Sequence, residues 1–193
     1  MTRGRLALGC VGLGLFALVA TAWIAYGLVA RNAVVGPAEA GERLASITAL
    51  TPPEDYHPQF GMTLRGMTTV TLVPDFGRAE PDASMIFTVM QVDRADPDAA
   101  EARDDLAAEM AGTAGGRTAE LDEIERRPIE VRGAPATLVV YEGPRRGDGT
   151  QLRKAVVAFE GDGGPALLVA AGPVAAWDED ALTALLRSLR PAR

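Results

Sequence analysis

The only histidine of the chain, His57, is the residue best suited to acid–base chemistry near neutral pH. A Ser-His-Asp triad would have to combine it with Ser46, Ser84 or Ser188. None of these serines lies in the context of a nucleophile elbow, and Ser188 falls inside a predicted helix. We therefore expect no catalytic residues. An extracytoplasmic enzyme that uses His57 and scattered acids, for example a hydrolase, is the alternative.

The sequence lacks the residues that a metal site or a phosphate-binding loop requires. One histidine and no cysteine beyond Cys10 leave only carboxylates for a zinc ion. Asp93, Asp96, Asp98 and Glu101 lie near one another in the sequence and could collect a calcium ion. The glycine and the distant glutamate of a calcium loop are missing, however, and Asp96 is already explained as a helix cap. The glycine-rich stretches "GTAGG" and "EGDGGP" do not carry the lysine of a phosphate-binding loop. We expect neither a metal nor a cofactor.

The tripeptide Arg146-Gly147-Asp148 has the sequence of a cell-adhesion motif. It stands between two predicted strands, and Gly147, Asp148 and Gly149 are residue types that a tight hairpin turn requires. We interpret it as a turn.

The stretch "EDYHPQFGMTLRGM", residues 54–67, is the strongest candidate for a contact surface. Methionine side chains adapt to different partners, and aromatic residues are enriched in interfaces. The competing interpretation is a strand or loop that folds over the core. If part of the stretch is exposed, it is the predicted partner-binding edge. Its candidate contact residues are Tyr56, His57, Phe60, Met62 and Met67.

The N-terminus carries a long apolar run. Residues 6–30 contain no charged residue, and at ~1.5 Å per residue they reach ~37 Å, which is enough to cross a ~30 Å hydrocarbon core. Trp23 and Tyr26 stand near its far end, where interfacial aromatics are found. A bacterial lipoprotein signal would need a longer apolar stretch before Cys10, and a cleaved secretory signal is the other alternative. We predict a single transmembrane helix that stays on the protein.

The distribution of charge orients this helix. Arg3 and Arg5 precede it and Arg31 follows it, so the positive-inside rule places the C-terminal domain outside the cytoplasm. These are three of the 19 basic residues, and the residues beyond them therefore carry 16 basic and 26 acidic side chains, a formal charge of −10. Such a surface repels phosphate backbones, and we expect no binding to nucleic acid.

The remaining pattern predicts one α+β domain. Residues 1–5 are the cytoplasmic N-terminus, residues 31–45 read as a linker, and residues 46–193 form the domain. "GMTTVTLVP" alternates like a half-buried strand, and "SMIFTVMQV" is apolar on both faces like a central one. "DPDAAEARDDLAAEMAG" and "WDEDALTALLRSLRPAR" have helix caps and apolar stripes. The order of strands and helices predicts an antiparallel sheet covered by two helices.

The C-terminal pattern resembles a known family. The segments "RPIEVRGAPATLVVYE", "QLRKAVVAFEG" and "LLVAAGP", followed by the helix "WDEDALTALLRSL", are similar to PsbP-like α/β/α sandwich domains. The segment "PPEDYHPQFGMTLRGM" resembles the opening of membrane-anchored envelope proteins that carry such domains. The resemblance implies an accessory or binding module rather than an enzyme, and it transfers no site residues.

These observations predict a membrane-tethered, non-catalytic domain of the cell envelope that contacts the membrane through its helix and another envelope protein through its folded part. A small-molecule binding domain is a further alternative, and it would require a sizeable apolar pocket.

Overall fold

The domain is built on one eight-stranded sheet. The computed structural model describes residues 32–64, 66–75, 84–95, 97–98, 101, 105 and 121–189. The strand order across the sheet is β1-β2-β3-β4-β8-β7-β6-β5, and each pairing from β2 to β5 is antiparallel. The strands are β1 (Ala33–Val35), β2 (Tyr56–Leu64), β3 (Met67–Pro74), β4 (Ile86–Val92), β5 (Asp122–Val131), β6 (Ala134–Pro144), β7 (Gln151–Glu160) and β8 (Pro165–Pro173).

The C-terminal half of the sheet is an antiparallel meander. Strands β5, β6, β7 and β8 follow one another in the chain and pair in that order. The first connection is a two-residue turn in which Arg132 and Gly133 both have positive φ, 58° and 78°, as a type I′ hairpin requires. Strand β8 then pairs with β4, and this long-range pairing joins the two halves into one sheet.

The two faces of the sheet bury different sets of side chains. The face that we call the helical face carries Leu72, Phe87, Val157 and Leu168, all in the main core. The other face, here the second face, carries a smaller buried cluster of Met90, Val156, Leu167 and Val169. Strand β4 contributes to both clusters, which confirms the prediction of a central strand covered on both sides. The alternation predicted for β3 is confirmed as well, because Val70 and Leu72 are both fully buried.

The C-terminal helix forms as its sequence predicts. This helix, α2, spans Glu179–Ser188. Its N-cap Asp178 accepts a hydrogen bond from the backbone N–H of Ala181 at 2.8 Å. Leu182 and Leu185 point into the main core. The predicted apolar stripe is therefore the side of the helix that packs on the sheet.

A second helix, α1, occupies Pro37–Ile47, inside the segment that the sequence predicts to be mostly linker. Ala40, Leu44 and Ile47 lie on its buried side and belong to the main core. The helix approaches β2 closely at Gly61, where a Cβ would lie 3.0 Å from side-chain carbons of α1 and β1. The prediction of a linker over 31–45 is thus corrected: the compact unit starts at Val34 and not near residue 46.

The α+β class and the antiparallel sheet are confirmed, and among the described residues the predicted C-terminal helix is seen as α2, together with α1. Both α1 and α2 pack on the helical face. The helix predicted from Asp96 to Gly112 falls mostly outside the described residues, and the predicted transmembrane helix over 6–30, with Cys10, falls entirely outside them. Among the residues described, no helix is both long enough and apolar enough to span a bilayer.

Candidate functional site

The structure brings four of the five predicted contact residues onto one face. Residues 56–64 form strand β2, whose side chains alternate between the faces of the sheet. His57 pairs with Val73, Phe60 with Thr71 and Met62 with Thr69, all opposite to the core positions of β3. Met67, in β3 itself, lies on this side too. His57, Phe60, Met62 and Met67 therefore share the second face, and we call these four residues the contact face.

The fifth predicted residue, Tyr56, lies on the helical face. Its ring meets that of Phe87 edge to face, with centroids 4.8 Å apart and planes at 62°. Burial raises the pKa of the Tyr56 hydroxyl, and the neighbouring carboxylates of Asp178 and Asp55 raise it further. Tyr56 contributes to packing of the domain core.

The contact face is partly accessible along the length of β2. All four of its side chains are half-buried. The pairing of β2 with β3 shifts by one residue between Pro58 and Phe60, a bulge that lets both His57 and Phe60 point to the second face. At ~3.3 Å per residue, His57 and Met62 stand about 16 Å apart. The face thus presents an elongated apolar strip that ends in an imidazole.

The structure singles out one residue that the sequence analysis did not, Lys154 in β7. It is the only lysine among 19 basic residues, and it is 1% exposed. It lies on the second face, opposite Tyr141 in β6 and two residues before the buried Val156 of the same strand. Burial lowers the pKa of its amine to about 8. A lone lysine inside the apolar pattern "QLRKAVVAFE" was the available signal.

Two of the three serines that a triad could use are engaged elsewhere. Ser46 donates to the carbonyl of Arg43 at 2.7 Å, and Ser188 donates to the carbonyl of Leu185 at 2.8 Å. Both serines belong to helices on the helical face, whereas His57 points to the second face. The sheet therefore separates the imidazole from these hydroxyls. Within the described ranges no group of three His, Cys, Asp or Glu residues is arranged to hold a metal ion.

The adhesion-like tripeptide forms the β6–β7 turn, as predicted. The backbone N–H of Arg145 donates to the carbonyl of Thr150 at 2.8 Å, and Gly147 has φ 113°. The Asp148 carboxylate accepts from the backbone N–H of Thr150 at 3.0 Å, and this hydrogen bond is the main cause of the lowered pKa of Asp148. The carboxylate is used to close the turn.

The glycine-rich stretch "EGDGGP" has a packing role. It forms the β7–β8 loop, in which the backbone N–H of Gly163 donates to the side-chain oxygen of Gln91 at 2.9 Å. A Cβ at Gly164 would lie 2.3 Å from the carbonyl oxygen of Val92, so only glycine fits there. The loop is held against the end of β4 rather than open to a phosphate.

The same end of the sheet contains a largely buried ion pair. Arg132, in the β5–β6 turn, donates to the Asp162 carboxylate, and the two side chains are 10% and 24% exposed. The backbone N–H of Asp162 also donates to the carbonyl of Ile47 at 2.8 Å. Two buried polar atoms here, Nη1 of Arg132 and Oγ1 of Thr48, have no hydrogen-bond partner in the described chain. The pair ties two turns to the end of α1.

A cleft of about 420 Å³ lies at the opposite edge of the sheet from the contact face, between the last strand, β5, and helix α2. Its apolar part includes Ile129 and Leu186, both of which also pack against the main core. The residues that line it are Arg127, Pro128, Ile129, Glu130, Thr183, Leu186 and Arg187.

Comparison with known proteins gives a distant likeness in fold. No protein-family model and no curated protein match the chain. PA94, a protein of unknown function from Pseudomonas aeruginosa, is similar over 68% of this chain and 86% of its own, with 20% identity and a TM-score of 0.45. LpqN, involved in cell envelope biogenesis of Mycobacterium tuberculosis, is similar over 74% of this chain and 82% of its own, with 12% identity and a TM-score of 0.37. Neither likeness assigns a family or an activity, and the resemblance to PsbP-like domains stays a sequence-based expectation.

Proposed function

We propose that the chain is a membrane-tethered, non-catalytic accessory protein whose folded domain binds another protein of the cell envelope through the contact face. The predicted helix over residues 6–30 is the anchor, and the domain stands on the extracytoplasmic side of the membrane. The sheet keeps His57 apart from two of the three candidate serines, Ser46 and Ser188, and this counts against the enzyme alternative.

One observation carries this proposal. The residues that the sequence marks as adaptable and aromatic, Phe60, Met62 and Met67, project from the same side of two adjacent strands and stay half-buried. Phenylalanine and methionine are residue types that interfaces favour, and flexible thioethers can fit a partner of varied shape. His57 at one end adds a hydrogen-bonding group to the strip.

Site-specific photo-crosslinking in the native cell tests the proposal. A benzoylphenylalanine at Met62 should capture a defined envelope protein. Thr63, the next residue, points to the other face of β2, where it accepts a hydrogen bond from Arg43 at 2.9 Å. Benzoylphenylalanine at this position should therefore not capture that protein. The change Phe60→Asp should abolish the product from position 62 because it places a charge in the apolar strip.

Two results would contradict the proposal. One is the same product from positions 62 and 63, which would show that capture does not depend on the face. The other is an undiminished product in Phe60→Asp protein that retains the circular dichroism and thermal transition of the unmodified chain.

A further inference from the structure

The geometry points to a ligand site separate from the contact face: we infer that the cleft between β5 and α2 binds a small monocarboxylate with an apolar tail. The inference does not depend on the proposed protein partner, since the two surfaces lie near opposite edges of the sheet.

The charge that would bind the carboxylate is Arg187. Within the part of the chain that the structure describes, no carboxylate forms an ion pair with this exposed guanidinium. The other arginine of the cleft, Arg127, is already occupied: it lies 3.0 Å from a carboxylate oxygen of Glu179 and 3.3 Å from one of Glu125. A free guanidinium in a domain with an excess of acids favours an anion, and it can hold a carboxylate through two parallel hydrogen bonds.

The surroundings of Arg187 limit the ligand to a single negative charge with an apolar part. Of the two arginines that line the cleft, only Arg187 is not held by a carboxylate of the described residues, so the cleft can match one negative charge and would leave a doubly charged phosphate partly unneutralised. Pro128, Ile129 and Leu186 offer apolar surface for a tail, and the hydroxyl of Thr183 adds one hydrogen-bonding group. A volume of about 420 Å³ falls within the ~300–1,000 Å³ range of small-molecule sites.

The edge of β5 explains why the occupant is a small molecule and not a peptide strand. Val131 and Ala134 flank a two-residue turn and therefore exchange both backbone hydrogen bonds, so the backbone groups of Glu130 and Pro128 point away from β6. Proline has no N–H to offer an added strand. The missing N–H of Pro128 and the exposed charged side chains along β5 protect the edge of the sheet against the addition of another strand.

Equilibrium dialysis of the full chain in phospholipid nanodiscs, with empty nanodiscs subtracted, tests the site. The probe is 3-phenylpropanoate, and its uncharged amide is the matched control ligand. We expect saturable binding of the carboxylate, about tenfold weaker binding of the amide, and about tenfold weaker binding of the carboxylate to Arg187→Gln protein. Hydrogen exchange should slow at residues 127–131 and 183–187 when the probe binds.

Arg146→Gln is the matched control variant, because it removes an exposed arginine from the distant β6–β7 turn and should leave the affinity unchanged. The inference is overturned if no saturable binding occurs, if the amide binds as tightly as the carboxylate, or if Arg187→Gln and Arg146→Gln bind the probe equally.

Discussion

Helix α1 should be an essential part of the folded domain, and removal of its core side chains provides a quantitative test. Leu44 is 4% exposed and Ala40 and Ile47 are fully buried, all within the main core on the helical face. Truncation of a buried leucine to alanine costs ~2–5 kcal/mol, and the value depends on how far the surroundings collapse into the space left behind. Since α1 lies over β2 near the edge of the sheet, partial collapse is possible, and we expect about 3 kcal/mol for Leu44→Ala.

Deletion of the helix should cost more than this single change. A fragment of residues 46–193 lacks both Ala40 and Leu44, and it also loses the hydrogen bond from the N–H of Gly36 to the carbonyl of Gln59, 2.9 Å long. We expect it to be about 4 kcal/mol less stable than a fragment of residues 34–193. Because whole domains have only ~5–15 kcal/mol of stability, the shorter fragment should be close to unfolding.

Urea unfolding of the two fragments, followed by circular dichroism, measures these differences. Glu42→Ala in the longer fragment is the matched control, because Glu42 lies on the exposed side of the same helix and its replacement should change the free energy of unfolding by less than ~0.5 kcal/mol. Equal free energies of unfolding for the fragments that start at 34 and at 46 would refute the assignment of α1 to the core.

Three further predictions concern single residues. The pKa of Lys154 is about 8 in the folded state and about 10.5 in the unfolded state, so the folded chain binds fewer protons between these pH values. Its free energy of unfolding should therefore rise from pH 8 to 10.5, by up to ~3 kcal/mol relative to Lys154→Met. Parallel pH profiles of the two proteins in urea unfolding would contradict this. Asp162→Ala leaves the buried guanidinium of Arg132 without its carboxylate and should lower the free energy of unfolding by ~2–3 kcal/mol. Glu160→Ala breaks an exposed ion pair and should lower it by less than ~1 kcal/mol. Equal losses of stability in thermal unfolding would contradict this difference in burial. Gly164→Ala forces a Cβ against a backbone carbonyl and should lower the melting temperature by several degrees. Gly41→Ala, in open space on α1, should raise the melting temperature. A higher melting temperature for both variants would show that the β7–β8 loop is not tightly packed.

Local pattern was enough to predict the elements whose signals lie within one segment. The N-cap Asp178 and the spacing of Leu182 and Leu185 define α2, and the alternation of Val70 and Leu72 defines the buried side of β3. In each case a few consecutive residues contain the signal, which is either a helix cap or a spacing of apolar residues with a period of 2 or 3.6.

Other features depend on distant parts of the chain. The pairing of β8 with β4 joins residues some 80 positions apart, and no local pattern specifies it. The segment that contains α1 was interpreted as a linker because its residues are small and polar and because Gly36 and Pro37 look like a break. Proline in the first turn, however, is also a helix start. The burial of Lys154 follows from the position of β7 in the sheet, which the sequence of β7 alone does not reveal.

The contact face was predicted in composition but not in geometry. The sequence groups Tyr56 with His57, whereas a strand sends neighbouring side chains to opposite faces, and only one of the two faces of β2 packs on the main core. The cleft could not be predicted from the sequence at all, since Ile129 and Leu186 come together only when α2 docks beside the last strand.

The central claim, an extracytoplasmic domain whose contact face is covered by a partner in the cell, is tested most directly by cysteine labelling. Cys10 is the only cysteine, so a Cys10→Ser chain can carry a single reporter at Met62 or at Thr63. A membrane-impermeant maleimide should label both positions in purified protein. On intact spheroplasts it should label position 63 and leave position 62 protected. Equal labelling of both positions on spheroplasts would contradict an occupied contact face, and labelling of neither until the membrane is permeabilised would contradict extracytoplasmic placement of the domain.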